Sequence, residues 1–333
     1  MKVLILKPSS LGDIIHALPV LRLIKRQRPD WQVHWWIAEP FAPLLERDTD
    51  ITALHPFHRR GWGTPAGLAK GLAGMAALGR EKFDVVIDLQ GLARSALHGW
   101  AANGAYTIGL HQHRDGAAAW YDASVERPGP RAHAVDWCRA VLPELGLEAE
   151  GEFDWLPPRP WLAEQLDEQG HDSAARWIAL CPGARWETKR WPIEHFVALR
   201  DQLMETPNTR LVVLGGKNDA GLGRKLVSER VLDLTGQTTL PELVEWLRTC
   251  AVLVTNDSGP MHIAAALGTP VVALFGPTDP ERTGPYRANG AVLQRMELDC
   301  VPCLARHCEH AVERACLRDI SPSNVAEAVA ACG

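Results

Sequence analysis

Three short stretches of this chain combine glycine, carboxylate and cation in ways that suit chemistry on an anionic ligand. The first is Ser9-Ser10-Leu11-Gly12-Asp13, directly after the apolar run Lys2 to Leu6. Gly12 allows a tight turn, and a helix opening there offers free N–H groups and a positive dipole end. A carboxylate at that point, Asp13, can take a proton from an attacking hydroxyl. It can equally cap the helix, a position that Asp favours, and spacing alone prefers the cap.

The second stretch is Pro182-Gly183-Ala184-Arg185-Trp186-Glu187-Thr188-Lys189-Arg190-Trp191-Pro192, which follows a strand-like run. Three cations in one loop at a strand's carboxyl end suit a diphosphate, and Lys189, just before the next helix, is the strongest candidate among them. A solvated surface loop is the plainer alternative. The third stretch is Thr255-Asn256-Asp257-Ser258-Gly259-Pro260-Met261-His262, again in a strand–turn–helix setting. Ser258 and Gly259 can present backbone N–H groups to a phosphate, and Asp257 can accept from sugar hydroxyls. His262, one turn into the helix, is as readily a packed histidine as a ligand.

Other motifs say less. Gly215-Gly216 need mean only a turn, and Asp48-Thr49-Asp50 reads as turn and cap chemistry. There is no Gly-x-Gly-x-x-Gly after a strand and no Walker loop, which weakens dehydrogenase and P-loop NTPase readings. Cys300-x2-Cys303-x4-Cys308-x7-Cys316, with His307 and His310 among them, could hold a structural metal or an iron–sulfur cluster. Free thiols or a disulfide fit the same spacing. Cys138, Cys181, Cys250 and Cys332 read as ordinary buried residues.

The elements that must position these stretches alternate. Lys2–Leu6 predicts a strand, then a helix runs to about Lys25, where Pro19 should kink or restart it. Strands follow at 31–37 and 83–89, the latter (FDVVIDL) reading as buried on both sides. Residues 147–161 hold three prolines and an acidic cluster without periodicity, and predict an interdomain linker. Beyond it, strands at 177–181, 210–214, 252–255 and 271–275 alternate with helices near 192–204, 220–230, 240–249 and 260–267. Such alternation predicts an α/β chain of two doubly wound parallel sheets, with ligands at the carboxyl ends of the strands.

Bulk properties agree. A chain of 333 residues suits two domains, and 46% hydrophobic with 23% charged residues is ordinary globular composition. A net charge of −5 argues against a general nucleic-acid binder. Of the thirteen tryptophans, Trp35, Trp36, Trp62, Trp186 and Trp191 adjoin polar runs and could serve a binding surface, although core filling suits any one of them. No secretory signal and no apolar run of membrane-spanning length is visible, which predicts a cytoplasmic protein. A peripheral place on the cytoplasmic face of the inner membrane stays open, although no basic amphipathic anchor is obvious.

Taken together, LKPSSLGDIIHALPVLR (6–22), DLQGLARSA (88–96), PGARWETKRWP (182–192), DLTGQTTLPEL (233–243) and TNDSGPMHIAAALGTPVVALFGPTDP (255–280) resemble glycosyltransferase family 9, the lipopolysaccharide heptosyltransferases. The resemblance implies a GT-B fold, with two Rossmann-like domains facing each other across a cleft. The N-terminal domain, 1–155, would bind the acceptor and the C-terminal domain, 162–320, the donor, with 321–333 a terminal helix able to pack back on the N-terminal domain. It further implies an ADP-heptose donor, a lipid-linked anionic saccharide acceptor of the Kdo–lipid A kind, and inverting transfer with no required metal. Asp13 becomes the general base. Donor-binding residues would be Lys189, Arg185, Asp257, Ser258, Gly259, Pro260, Met261, His262, Gly215, Asp219 and Thr238. Ser10, Gly12, Arg59, Arg60 and Gln90 would meet the acceptor, with Arg59 and Arg60 as readily a solvated pair. The segment DLQGLARSA is closer to heptosyltransferase I and the cysteine tail to II, so the heptose position stays open. A family relative moving another sugar, a nucleotide-sugar epimerase and a metal-dependent module built on the cysteines are the other readings.

Overall fold

A computed structural model describes residues 1–58, 64–112 and 115–332, which divide into two compact units, Met1–Pro157 and Pro158–Gly333. The division falls inside the Pro-rich stretch from which a linker was expected.

In the first unit the strands are β1 (Lys2–Leu6), β2 (Gln32–Ala38), β3 (Ala53–Phe57), β4 (Val85–Asp88), β5 (Tyr106–Leu110) and β6 (Ala123–Val125). Its helices are α1 (Leu11–Gln27), α2 (Ala42–Leu45), α3 (Pro65–Arg80), α4 (Ala93–Ala102) and α5 (Ala134–Arg139). The second unit holds β7 (Arg176–Cys181), β8 (Thr209–Val213), β9 (Val231–Asp233), β10 (Val252–Asn256), β11 (Val271–Phe275) and β12 (Gly290–Gln294). Its helices are α6 (Ala163–Glu168), α7 (Ile193–Leu203), α8 (Ala220–Gly223), α9 (Leu240–Thr249), α10 (Gly259–Leu267), α11 (Pro280–Thr283), α12 (Ala315–Arg318) and α13 (Pro322–Ala330).

Each unit is built on one six-stranded parallel sheet. The orders are β3-β2-β1-β4-β5-β6 and β12-β11-β10-β7-β8-β9. Both are the doubly wound arrangement in which the chain winds outward on one side of its first strand and then returns to wind outward on the other. The switch points lie between β1 and β4 and between β7 and β10. Val3, Leu4, Ile5 and Leu6 of β1 and Val252, Leu253 and Val254 of β10 are fully buried, as central strands covered on both faces require.

Several local expectations change. Pro19 does not break α1, which runs unbroken for 17 residues. Residues 14–24 of α1 are all buried, and tertiary packing holds the helix through the missing N–H. The helix expected over 220–230 shrinks to Ala220–Gly223. The terminal helix α13 packs on α7, and its Val325 and Val329 are buried in the core of the second unit with Trp191 and Phe196. It belongs to the second unit, where its apolar residues find their partners.

Most of the suspected surface tryptophans are core. Trp35, Trp36 and Trp191 are buried, and Trp186 is half-buried. Trp62 lies outside the described residues. Asp48 and Asp50 do more than cap a turn: they clamp Arg22 of α1. Arg22 Nη1 donates to Asp48 Oδ1 at 2.7 Å and to Asp50 Oδ2 at 2.6 Å, and Nη2 donates to the Trp155 carbonyl at 3.0 Å. Arg22 and Asp48 are both buried, so each depends on the other to avoid an uncompensated charge. Arg22→Ala is expected to destabilise the first unit by about 3–5 kcal/mol, read from its unfolding transition in denaturant. A loss below 1 kcal/mol would mean that water reaches Asp48 freely.

A second pair, the buried His34 and the half-buried His55, sets a pH dependence. His34 Nδ1 and His55 Nε2 lie 2.9 Å apart beside Phe83. Burial lowers the His34 pKa to about 4, helped by the neighbouring His55, and burial also lowers that of His55. A histidine held neutral in the fold binds a proton more readily when unfolded, so stability rises with pH in this window. The contribution is full above about 6.5, the ordinary histidine value, and drains away as pH falls toward about 4. His34→Phe should flatten that loss in a series of melts across the window, and an unchanged slope would remove the pair as its cause.

Candidate functional site

The carboxyl ends of the strands flanking each switch point carry nearly all the residues singled out by type and spacing. In the first unit these are the loops after β1 and β4. Asp13 is the third residue of α1, and its Oδ2 accepts from Ser10 N at 2.7 Å and from Ser10 Oγ at 2.6 Å. Ser10, not Asp13, is the N-cap: Asp13 stands at the N3 position and closes a capping box by accepting from the cap residue. Oδ1 has no hydrogen bond among the described residues, so the carboxylate keeps a lone pair for an incoming proton while its other oxygen is held. Gly12 is buried behind it.

The loop after β4 is organised by Asp88. This side chain is fully buried and accepts from Gln90 N at 2.9 Å, Gly91 N at 3.0 Å and the Tyr121 hydroxyl at 2.8 Å. Burial pushes the Asp88 carboxyl up, against the pull of those donors, and the same burial beside Asp88 pushes the Tyr121 hydroxyl up. Gly91 has φ +68°, and a Cβ there would meet the Leu110 carbonyl at 2.8 Å, so glycine is required. The turn leaves Gln90 Oε1 buried with no hydrogen-bond partner among the described residues. An unpaired buried acceptor of this kind favours a donor from a ligand. Arg59 and Arg60 lie outside the described residues.

In the second unit the loops after β7 and β10 are joined side chain to side chain. Lys189 Nζ donates to Asp257 Oδ2 at 2.6 Å, and the Thr278 hydroxyl donates to the same oxygen at 2.6 Å. Asn256 bridges the same two loops, accepting from Trp191 N at 2.9 Å and donating to the Pro182 carbonyl at 2.8 Å. Lys189 Nζ also stands 4.7 Å from the centre of the Trp186 ring, with the Arg306 guanidinium 5.0 Å from it. Trp191 Nε1 donates to the Ile320 carbonyl, anchoring the far end of the loop in the core.

Ser258, Gly259 and Pro260 form the start of α10, where Ser258 makes no side-chain cap bond and Met261 and His262 are buried. A helix N-terminus beside a lysine is a ready anion site. Asp219 lies at the same edge. Its Oδ2 accepts from Gly216 N at 2.9 Å, and Arg190 Nη2 approaches its Oδ1 at 4.0 Å. It packs so closely on Gly183 that a Cβ there would lie 2.4 Å from the carboxylate, while one on Gly215 would lie 3.1 Å from it. Arg185 is exposed, and Thr238 is half-buried in the turn before α9.

Sequence reasoning missed Thr278, Asn256 and Arg306, each of which touches this cluster. Thr278 and Asn256 stood inside a quoted motif, but nothing in their spacing revealed their partners.

The spacing of the cysteine tail left a metal, free thiols and a disulfide open; Cys300, Cys303, Cys308 and Cys316 line one small cavity together with His307 and His310. Among the described residues no group of three or more His, Cys, Asp or Glu side chains is gathered to hold a metal ion. Cys300 and Cys303 are exposed thiols, while Cys308 and Cys316 are half-buried. Burial, reinforced by the neighbouring cysteines, pushes the Cys316 thiol up to about 11. Cys138, Cys181 and Cys250 are buried with raised pKa values, as expected of inert thiols. The tail instead braces the Lys189 loop. The Thr188 hydroxyl donates to the Ala305 carbonyl at 3.0 Å, and Arg314 Nη1 reaches the carbonyls of Glu187 and Arg190 at 3.4 and 3.5 Å.

An oxygen-rich anion entering beside α10 would compete with Asp257 for Lys189. Lys189→Ala should weaken binding of ADP by about tenfold to a hundredfold in calorimetry, the range of a lost charge-assisted contact. Unchanged affinity would remove Lys189 from the anion site.

Comparison with known proteins bears on the same residues. Residues 73–312 match the family model described as glycosyltransferase family 9 (heptosyltransferase). Lipopolysaccharide heptosyltransferase 1 of Pseudomonas aeruginosa is 29% identical over 327 residues, covering 93% of this chain and 88% of the relative. Lipooligosaccharide heptosyltransferase 2 of Haemophilus influenzae is 27% identical over 325 residues, covering 89% of each. Among solved structures, Escherichia coli heptosyltransferase WaaC with ADP superposes with a TM-score of 0.80 at 23% identity, covering all of both chains.

Proposed function

The chain belongs to glycosyltransferase family 9, and we propose that it transfers heptose from ADP-L-glycero-D-manno-heptose to the Kdo–lipid A inner core of lipopolysaccharide, with inversion at the transferred carbon. The observation that carries this reading is the Lys189–Asp257 pair, set at the start of α10 and at the switch point of its sheet. A cation, a helix N-terminus and a carboxylate side by side are what a sugar diphosphate asks for. The heptosyltransferase relatives supply the identity of the sugar and the lipid.

On this reading the second unit binds the donor and the first binds the acceptor. Asp13 Oδ1 takes the proton of the acceptor hydroxyl as its oxygen attacks the anomeric carbon of heptose. The bond from that carbon to the diphosphate oxygen breaks, and ADP leaves with its new negative charge. Lys189 and the α10 N–H groups neutralise that charge as it develops, where such stabilisation counts most. Asp257, released from Lys189, turns to the sugar hydroxyls. Asp219 reaches the ribose, and Arg185, Gly215 and Thr238 lie at the edge of the nucleotide. Ser10 holds Asp13 in place, and Gln90 offers its unpaired oxygen to an acceptor hydroxyl. No metal takes part, since Lys189 does the work of a cation. The protein works at the cytoplasmic face of the inner membrane, where a lipid-linked acceptor is presented.

Asp13→Ala is expected to lower transfer by at least about a thousandfold while leaving ADP-heptose affinity within about twofold. Near-normal turnover would remove Asp13 as the base, and a matching loss of donor binding would make it structural. Calorimetry with ADP-heptose, ADP-glucose and UDP-sugars tests the donor itself. Preference for another nucleotide sugar would leave the fold and site but change the sugar. Relatives of both types match to similar extents, 29% and 27%, so the assay offers acceptors ending in Kdo and in heptose side by side.

A further inference from the structure

Helix α3 is an anomaly in the first unit. It is 16 residues long, yet Leu78 is its only buried residue. It contains four glycines, Gly67, Gly71, Gly74 and Gly79, each unfavourable in a helix by about 1 kcal/mol relative to alanine. Beneath its glycine-rich side lies a cavity of about 240 Å3, with Trp36, Phe57, Lys70 and Met75 on its walls, so that the helix is seated mainly at its C-terminal end, where Leu78 joins the core and Gly79 lies close against α4. Its outward face is apolar. Leu68 and Leu72, one turn apart, are 46% and 53% exposed, and Ala69, Ala73 and Ala76 accompany them. Helices apolar on this face are ordinarily covered by something.

Charge says what covers it. Residues 51–80 contain no Asp or Glu and carry Arg59, Arg60, Lys70 and Arg80, within a chain of net charge −5. The nearest acids by sequence and contact are occupied: Glu81 pairs with Lys2, and Glu39 pairs with His58 at 2.6 Å. Lys70 and Arg80 are the only charges on α3 itself, and both are exposed. An apolar helix face in a wholly cationic segment is complementary to an anionic lipid surface, and it is repelled by the same face of a second copy of this chain.

We propose that α3 is a membrane-surface helix, which lays Leu68 and Leu72 into the headgroup region of an anionic bilayer with Lys70 and Arg80 on the phosphates. The inference deepens the proposed function by supplying the docking element that a lipid-linked acceptor calls for. Sequence patterning alone missed it, because the alanines and glycines of α3 give no strong periodicity and its exposure is a property of the fold.

The test is co-sedimentation of the full chain with vesicles of phosphatidylcholine alone and of phosphatidylcholine mixed with phosphatidylglycerol, which needs no sugar. The protein should partition onto the anionic vesicles, and do so less in high salt. Leu68→Asp/Leu72→Asp should weaken that partition by at least about tenfold, and Lys70→Glu by about fivefold. Calorimetry of the same variants with ADP, expected to match the parent, reports that they fold. Equal partition of parent and variants would overturn the proposal, as would absence of binding to anionic vesicles. So would a dimer, in sedimentation velocity without lipid, that the leucine variants break. Failure of heptose transfer with lipid binding intact would count against the proposed function alone.

Discussion

Parallel strands cannot be joined by a tight turn, so each connection must cross back over the sheet, and every loop that follows a strand emerges at the same edge. In both units that constraint places the loops after β1 and β4, and after β7 and β10, on either side of the point where the winding reverses. The helices that diverge there leave room for a ligand. Asp13, Gln90, Lys189, Asp257 and the start of α10 owe their positions to this one topological fact. The packing of Trp191, Asn256 and Asp88 then fixes those loops to within a hydrogen bond.

Much of this was legible in the chain before any coordinates. Buried β-branched runs such as Val85-Val86-Ile87 marked central strands, and glycine with polar residues after them marked the loops of the candidate site. The motif at 255–280 carried the family. What was not legible depends on contacts distant in sequence. Lys189 and Asp257 are 68 residues apart, and no local pattern reveals that they pair. Trp35, Trp36 and Trp191 fill the core, as suits any single tryptophan, because adjacency to a polar run says nothing about which side of a strand or loop faces inward. Pro19 was expected to interrupt α1 on local grounds, and packing along the helix overrode it. The cysteine spacing left a metal, free thiols and a disulfide open, and nothing in it revealed the bonds by which the segment holds the Lys189 loop.

Those bonds give the tail a place in the second unit's architecture. The Lys189 loop is held from one side by Trp191 and the terminal core, and from the other by Thr188 and Arg314 against the cysteine segment. On the proposed reading this loop presents a lysine to a phosphate, and its irregular backbone has to be rigid without being helical or extended. Bracing from elements far along the chain, 117 and 129 residues away, supplies that rigidity. Gly183 and Gly215 act in a complementary way, by having no side chain where Asp219 must fit.

The contact between Lys189 and Asp257 also bears on how the site empties. A lysine that met only solvent in the resting state would hold a departing diphosphate tightly, because nothing would take its place. Here a tethered carboxylate waits 2.6 Å away, at an effective concentration no free anion could match. On the proposed reading, Asp257 is the internal rival that reclaims the ammonium group as ADP loosens. On that reading the spent nucleotide is held more weakly and cleared faster, and each cycle ends with the same two side chains back in each other's company.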